Sequence, residues 1–246
     1  GLETIHAEFA THHGGTAWGG ESRRFGEGVA ILVGDLAHVF ADRALPAAGP
    51  ELDEVWDELR IELNVGQYLD VLGTARADRD EAGARRIARY KSGKYTIERP
   101  LHVGAALAGR YADLAGPLSA FGDPLGEAFQ LRDDILGVYG DAELTGKPVG
   151  ADLLEGKPTP LLAVAVERAD ARQRALLDRV GRAELSDDDV RSLQQVLEDT
   201  GARAAIEASV GHLTRRAVDA LSEAPLAPDA AAALVDLAHY VAERER

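Results

Sequence analysis

Cysteine is absent from this 246-residue chain, and so is methionine. Without cysteine there is no disulfide framework, no thiolate nucleophile and no Cys-ligated zinc or iron–sulfur site. The lack of methionine even at position 1 implies that the true start is not in this sequence or that a modified methionine has been dropped from it. Aromatic residues are scarce at 5%. No apolar run approaches the roughly 18–20 residues needed to span a bilayer, and no signal-peptide pattern opens the chain. A cytoplasmic protein that is not integral to a membrane is the expectation. Basic residues are also few, 27 against 42 acidic ones, for a formal charge of −15. A protein that binds a phosphate backbone needs a basic face to displace counterions, so no nucleic-acid partner is expected. Small anionic ligands remain open, because a Mg²⁺ ion can invert the local field. Glycine-rich phosphate loops, βαβ alternation and internal repeats are missing as well.

Alanine fills much of the remaining space, with 43 residues, and it is the best helix former. The apolar share of 46% and charged share of 28% are those of an ordinary globular protein. Helical periodicity predicts a helix over 22–45, whose apolar stripe (Val29, Ile31, Leu32, Val33, Leu36, Val39, Phe40) is broad enough to be buried on more than one side, in a bundle or at a subunit contact. His38 lies in that stripe and reads as a packed or hydrogen-bonded core residue. A second helix is predicted over 51–73 and a third over 78–90, after which Lys91-Ser92-Gly93-Lys94 interrupts. Pro100 marks a kink or boundary, and a long pattern over 111–139 contains Asp123-Pro124. The polar stretch 140–158 reads as a long functional loop. Four shorter helices start near Thr159, Ser186, Gly201 and Pro228. No composition shift divides the chain, which reads as one all-α domain over 1–246.

Polar groups interrupt an apolar helix at Phe129-Gln130-Leu131-Arg132-Asp133-Asp134. Gln130, Asp133 and Asp134 fall at i, i+3 and i+4, on one helix face. Two adjacent carboxylates in an apolar pattern cost desolvation and repulsion unless a cation compensates them, and carboxylates with room for water and phosphate oxygens suit Mg²⁺. An isolated Asp-Asp pair is more often a solvated acidic patch. The residues C-terminal to this pair change the balance: Asp141, Thr145-Gly146-Lys147, Gly150-Ala151-Asp152 and Gly156-Lys157-Pro158-Thr159. A loop with two lysines and a further aspartate, opposite a carboxylate pair, can hold a diphosphate and its metal together.

This run resembles the second aspartate-rich region of the trans-polyprenyl diphosphate synthases, F-Q-x-x-D-D-x-x-D followed by T-G-K, G-x-D and G-K-x-T. Gly66-Gln67-Tyr68-Leu69-Asp70 resembles that family's G-Q-x-x-D, Lys91-Ser92 its K-T, and Leu32-Val33-Gly34-Asp35 the L-x-G-D of its dimer-interface helix. Two departures stand out. The last aspartate of the second motif is Gly137 here, with Asp141 or Asp152 as replacements. The first motif, D-D-x-x-D with paired arginines, is missing; Gly1-Leu2-Glu3 resembles the helix leading into it and Thr4-Ile5-His6 the segment after it, so a gap is expected between Glu3 and Thr4.

The resemblance implies an all-α isoprenoid-synthase bundle around a central cavity, working as a homodimer. It implies condensation of an allylic diphosphate with isopentenyl diphosphate by ionisation, condensation and elimination, with about three Mg²⁺ ions. It carries metal ligation to Asp133, Asp134, Asp152 and Asp70, and diphosphate binding to Lys91, Lys147, Lys157 and Gln130. Shelter of the carbocation falls to Gln130, Gln67 and Ser92, beside Lys91. A class I terpene cyclase and a non-catalytic regulatory subunit of a heteromeric synthase are the alternatives.

Overall fold

The computed structural model describes residues 3–77, 79–140, 149–181 and 184–244. They form helices and connecting turns, with no β-strand among them. Two compact units divide the chain, Gly1–Ala48 and Gly49–Arg246.

The first unit is a helical hairpin of α1 (Ile5–Gly14) and α2 (Ser22–Ala44). Gly26 lets the two backbones touch: a Cβ there would sit 2.1 Å from the carbonyl oxygen of His6. The turn between them is held by buried His13, whose ring meets Ser22 Oγ at 3.0 Å, the Gly19 carbonyl at 3.2 Å and the Phe25 ring face. Beyond Gly26 no residue of α2 is buried, and Ile31, Leu32, Val33, Leu36, Val39 and Phe40 are all exposed. His38 is exposed with them. The reading of His38 as a core residue is therefore corrected: the apolar stripe around it is exposed among the described residues of this unit.

The second unit opens with α3 (Pro50–Arg76), which starts on Pro50 in the first helical turn, where its missing N–H costs nothing. Next comes α4 (Glu81–Ala88), capped by the Asp80 carboxylate accepting from the Gly83 N–H. Where Lys91-Ser92-Gly93-Lys94 was expected to interrupt, the chain keeps turning as a π-helix, π1 (Arg89–Glu98), and passes directly into α5 (Arg99–Leu107). The 29-residue α6 (Tyr111–Tyr139) runs through Pro117 and Pro124, each of which deletes one i→i−4 bond. Inside the stretch expected to be loop, Ala151–Glu155 makes a short helix, α7, bounded by Gly150 and Gly156 in left-handed conformations.

The predicted helix starts hold in the last third: α8 (Pro160–Arg168) is capped by Thr159, α10 (Asp187–Asp199) by Ser186, and α11 (Ala202–Ala220) follows Gly201. An unexpected α9 (Ala171–Leu177) stands on its own Asp170–Gln173 capping box, in which side chain and backbone satisfy each other's orphan groups. The last of the described helices is α12 (Pro228–Glu243).

α6 is the axis of this unit. Its C-terminal half, at Leu131, Ile135 and Val138, packs into one apolar cluster with residues of α8, α10 and α11. Phe121 and Leu125, further back on α6, pack with Ile97, Leu221 and Val241 in a second. Phe121 is fully buried. Phe121→Ala is expected to lower unfolding free energy by about 3–5 kcal/mol, read by urea denaturation, since the cavity has rigid walls. A loss under ~1 kcal/mol would show that this cluster collapses around the hole.

Candidate active site

Near the C-terminal ends of α6 and α3 the second unit encloses a cavity of about 210 Å³. α3 contributes Asp70; π1 contributes Lys91 and Ser92; α6 contributes Gln130, Asp133 and Asp134; α7 and the turn after it contribute Asp152 and Lys157. Ala84, Ile87 and Ala88 of α4 supply an apolar side. Eight of the ten residues expected at the site thus line one cavity. Lys147 and Asp141 lie outside the described residues. Gln67 is exposed and not among the lining residues. On α3 it is the four-spaced pair Gly66 and Asp70 that faces π1, and Gln67 is rotated about 100° from Gly66 around the axis.

Two of the charged groups are partnered across elements, Lys91 with Asp70 and Asp133 with Arg244. Lys91 Nζ donates to Asp70 Oδ2 at 2.7 Å. Lys157 forms an ion pair with Asp152 and a second with Glu155 at 3.3 Å. Burial pulls the Lys157 ammonium down, but the hydrogen bond and charge of Asp152, with the charge of Glu155, outweigh it and hold the lysine charged. Gln130 Nε2 donates to Asp134 Oδ1 at 2.8 Å. Among the described residues the second oxygen of Asp134 is buried without a partner. Burial pushes the Asp134 carboxyl up to about 8; the Gln130 donor opposes this, while the charges of Asp152 and Asp133 add to it. An orphaned oxygen among carboxylates, in a cavity that also holds lysines, is what a site for a cation and an anion together requires.

Gly137 explains itself in the same place. A Cβ on it would stand 2.2 Å from Asp152 Oδ2. The carboxylate of Asp152 therefore occupies the space into which a side chain at 137 would grow. Among the described residues no group of three or more His, Cys, Asp or Glu side chains is already gathered as a metal cage. Mg²⁺ bound with a diphosphate draws most of its ligands from water and phosphate oxygens, so one or two carboxylates suffice.

Sequence reasoning missed Arg244. Its guanidinium stacks over the Phe129 ring, with Cζ 4.0 Å from the centroid, and Nη2 donates to Asp133 Oδ1 at 3.1 Å. Arg132 Nε donates to the Arg244 carbonyl at 2.8 Å. No spacing signal could have joined Asp133 to an arginine 111 positions away.

The sequence model of the Polyprenyl synthetase family matches residues 15–198. Geranylfarnesyl diphosphate synthase of Aeropyrum pernix is 33% identical over 230 residues, which cover 89% of this chain and 71% of that one. The (2E,6E)-farnesyl diphosphate synthase of Mycobacterium bovis is also 33% identical over 230 residues, covering 90% of this chain and 64% of its own length. The crystal structure of geranylgeranyl pyrophosphate synthase from Corynebacterium glutamicum, complexed with isoprenyl diphosphate and magnesium, superposes with a TM-score of 0.90 at 34% identity, covering 98% of this chain and 70% of that one. The chain thus spans 64–71% of the length of these relatives.

Proposed function

Since the chain belongs to the polyprenyl synthetase family, we propose that it is a prenyltransferase that lengthens an allylic diphosphate with isopentenyl diphosphate to a longer trans-polyprenyl diphosphate. Its fold is the all-α class I isoprenoid-synthase fold. One observation carries the reading: Asp70, Asp133, Asp134 and Asp152 line the same cavity as Lys91 and Lys157. The family match crosses both compact units, which supports reading them as one functional domain.

Asp133, Asp134 and Asp152 would hold Mg²⁺, and Asp70 would join them once Lys91 turns to the substrate. Bound Mg²⁺ supplies charge neutralisation of the departing diphosphate. Lys91 and Lys157 exchange their carboxylate partners for diphosphate oxygens, which they hold as point charges. Lys147 has the same assignment. Gln130 and Ser92 face the developing allylic carbocation with dipoles, which stabilise it without attacking it. Among the described residues no histidine lines the cavity, and the departing diphosphate is assigned as the base that removes the final proton. Gln67 takes no part while it stays exposed.

The first aspartate-rich motif we assign to a segment between Glu3 and Thr4. The exposed apolar face of α2 we assign to a homodimer contact. No helix among the described residues is long and apolar enough to cross a membrane, and we place the enzyme in the cytoplasm.

The test is direct. The full-length protein, with whatever its gene encodes between Glu3 and Thr4, is incubated with radiolabelled isopentenyl diphosphate, an allylic diphosphate and Mg²⁺. Labelled, longer prenyl diphosphate that disappears on chelation is the expected result. Failure to elongate any allylic substrate would overturn the reading in favour of a non-catalytic subunit, and a cyclised product without incorporation of label would overturn it in favour of a cyclase.

A further inference from the structure

α3 and π1 meet along a single line of contacts. Glu62, Gly66 and Asp70 are spaced four apart and share one face of α3. All three meet π1. Glu62 Oε1 lies 3.2 Å from Lys94 Nζ. A Cβ on Gly66 would come within 2.3 Å of the Lys91 backbone nitrogen. Asp70 accepts from Lys91 at 2.7 Å. Two ion-pair rungs therefore flank a point where the backbones touch. The Asp70–Lys91 rung opens into the cavity, whereas neither Lys94 nor Glu62 lines it.

From the other side π1 is pressed by α6. A Cβ on Gly126 would stand 2.6 Å from the Gly93 carbonyl oxygen, and one on Gly122 would stand 2.9 Å from Glu98 Cα. Lys94, only 9% exposed, reaches Glu98 Oε2 at 3.0 Å as well as Glu62. Arg99 forks onto Glu62 with bonds of 2.7 and 2.9 Å and meets Glu58 at 2.9 Å. Ser119 Oγ of α6 donates to Glu98 Oε1 at 2.7 Å. His102 stays neutral behind them, since burial lowers its affinity for a proton. Its Nδ1 accepts from Arg99, which leaves Nε2–H for the Ala115 carbonyl. Burial works to raise the Glu62 and Glu98 carboxyls, but the Arg99 and Ser119 donors and the Lys94 charge outweigh it and hold both below the ordinary range.

π-helical winding is rare and usually confined to a single turn at functional sites. Ten residues of it need specific fastening, and Lys94 is the group that ties π1 both to α3 and to its own far end. We propose that Lys94 is a positioning residue for diphosphate capture: bridging Glu62 and Glu98, it fixes the winding of π1 that carries Lys91 and Ser92 into the cavity. This rests on the reading of Lys91 as a diphosphate ligand. Without the bridge, π1 relaxes toward α-helical winding and turns Lys91 and Ser92 about the axis, away from Asp70 and the cavity.

Two measurements test it. Acetylation of Lys91, followed by mass spectrometry, is expected to speed up in Lys94→Met because the Asp70 partner is lost. Binding of inorganic pyrophosphate with Mg²⁺, followed by calorimetry, is expected to weaken about tenfold or more in Lys94→Met, the usual scale for a group one shell behind a ligand. In a Lys91→Ala background the same substitution should cost nothing further, because both act through one group. If Lys94→Met does not fold, Glu62→Gln, which removes the bridge's charge but keeps an acceptor for Arg99, should give the same pattern. Unchanged Lys91 labelling, or an equal loss of affinity with and without Lys91, would overturn the proposal. Failure of the unsubstituted protein to bind pyrophosphate, or full binding by Lys91→Ala, would instead defeat the functional assignment of the cavity, with the labelling comparison still deciding the role of Lys94.

Discussion

Gly137→Asp, which restores the aspartate that the family pattern places there, is expected to disable the site rather than complete it. The first atom of any side chain at 137 would stand 2.2 Å from Asp152 Oδ2 and 2.4 Å from its Cγ. Asp152 cannot step aside cheaply. It is 6% exposed, tied to Lys157, and set on a helix of five residues between two glycines with left-handed backbone. Overpacking alone costs about 1–3 kcal/mol, and another carboxylate beside Asp134 and Asp152 adds an unpaired buried charge. A fall in unfolding free energy of roughly 3 kcal/mol or more is expected, along with loss of Mg²⁺-pyrophosphate binding by about 100-fold or more. Gly137→Ala should reproduce most of the instability without the added charge. Asp133→Ala gives the reference for losing a metal ligand outright: binding abolished with the fold intact. Gly137→Asp with an unchanged melting temperature and tighter metal binding would show that position 137, not Asp152, is where the third carboxylate belongs.

The same pair of residues shows what could be read in the sequence and what could not. Periodicity and caps located α2, α3, α6 and the starts of α8, α10, α11 and α12, because those signals are local: a Ser, Thr or Gly before a repeating apolar face. Motif spacing gathered Asp133, Asp134, Asp152, Lys91 and Lys157, since each carries its chemistry in its own side chain. The failures share a cause. Lys91-Ser92-Gly93-Lys94 looks like a break when only its neighbours are counted, yet it winds on as π1 because Glu62, Gly66 and Gly126 receive it, 25 or more positions away along the chain. Gln67 lies inside a motif, but the helix turns it off the face that the motif uses. Arg244 reaches Asp133 only through the tertiary fold. His38 sits in an apolar stripe that is itself exposed, so helical periodicity alone misplaces it in the core. Local pattern reveals elements and chemically distinctive groups; the contacts that aim those groups are long-range and leave no periodic trace.

Asp134→Asn is expected to stabilise the ligand-free protein at pH 8 and to leave it nearly unchanged at pH 4. The Asp134 carboxyl is pushed from an ordinary 3.8 up to about 8, first by burial and then by the charges of Asp152 and Asp133, against the Gln130 donor. Between those two values the folded state holds a proton that the unfolded state has released. Stability from this group is therefore complete below about pH 4, declines as pH rises, and is exhausted above about pH 8. Asparagine still accepts the Gln130 bond but carries no charge to bury, so the decline attributable to residue 134 disappears. The difference between the two proteins cancels the contribution of His102, whose proton affinity burial lowers, and reports residue 134 together with its coupled neighbour Asp152, whose carboxyl burial also pushes up. At pH 8 the linkage is on the order of 5 kcal/mol, which for a chain of this size raises the melting temperature by roughly 10–20 °C. Thermal melts of both proteins in chelator, from about pH 4 to 8.5, span the window between the two protonation states and provide the check. Parallel curves, or an Asn variant less stable at pH 8, would mean that Asp134 is ionised without cost in the free protein. Added Mg²⁺ and pyrophosphate should reverse the order, stabilising the Asp134 protein and leaving the Asn variant behind, because the charge that is a liability in the empty cavity is then the charge that binds the cation.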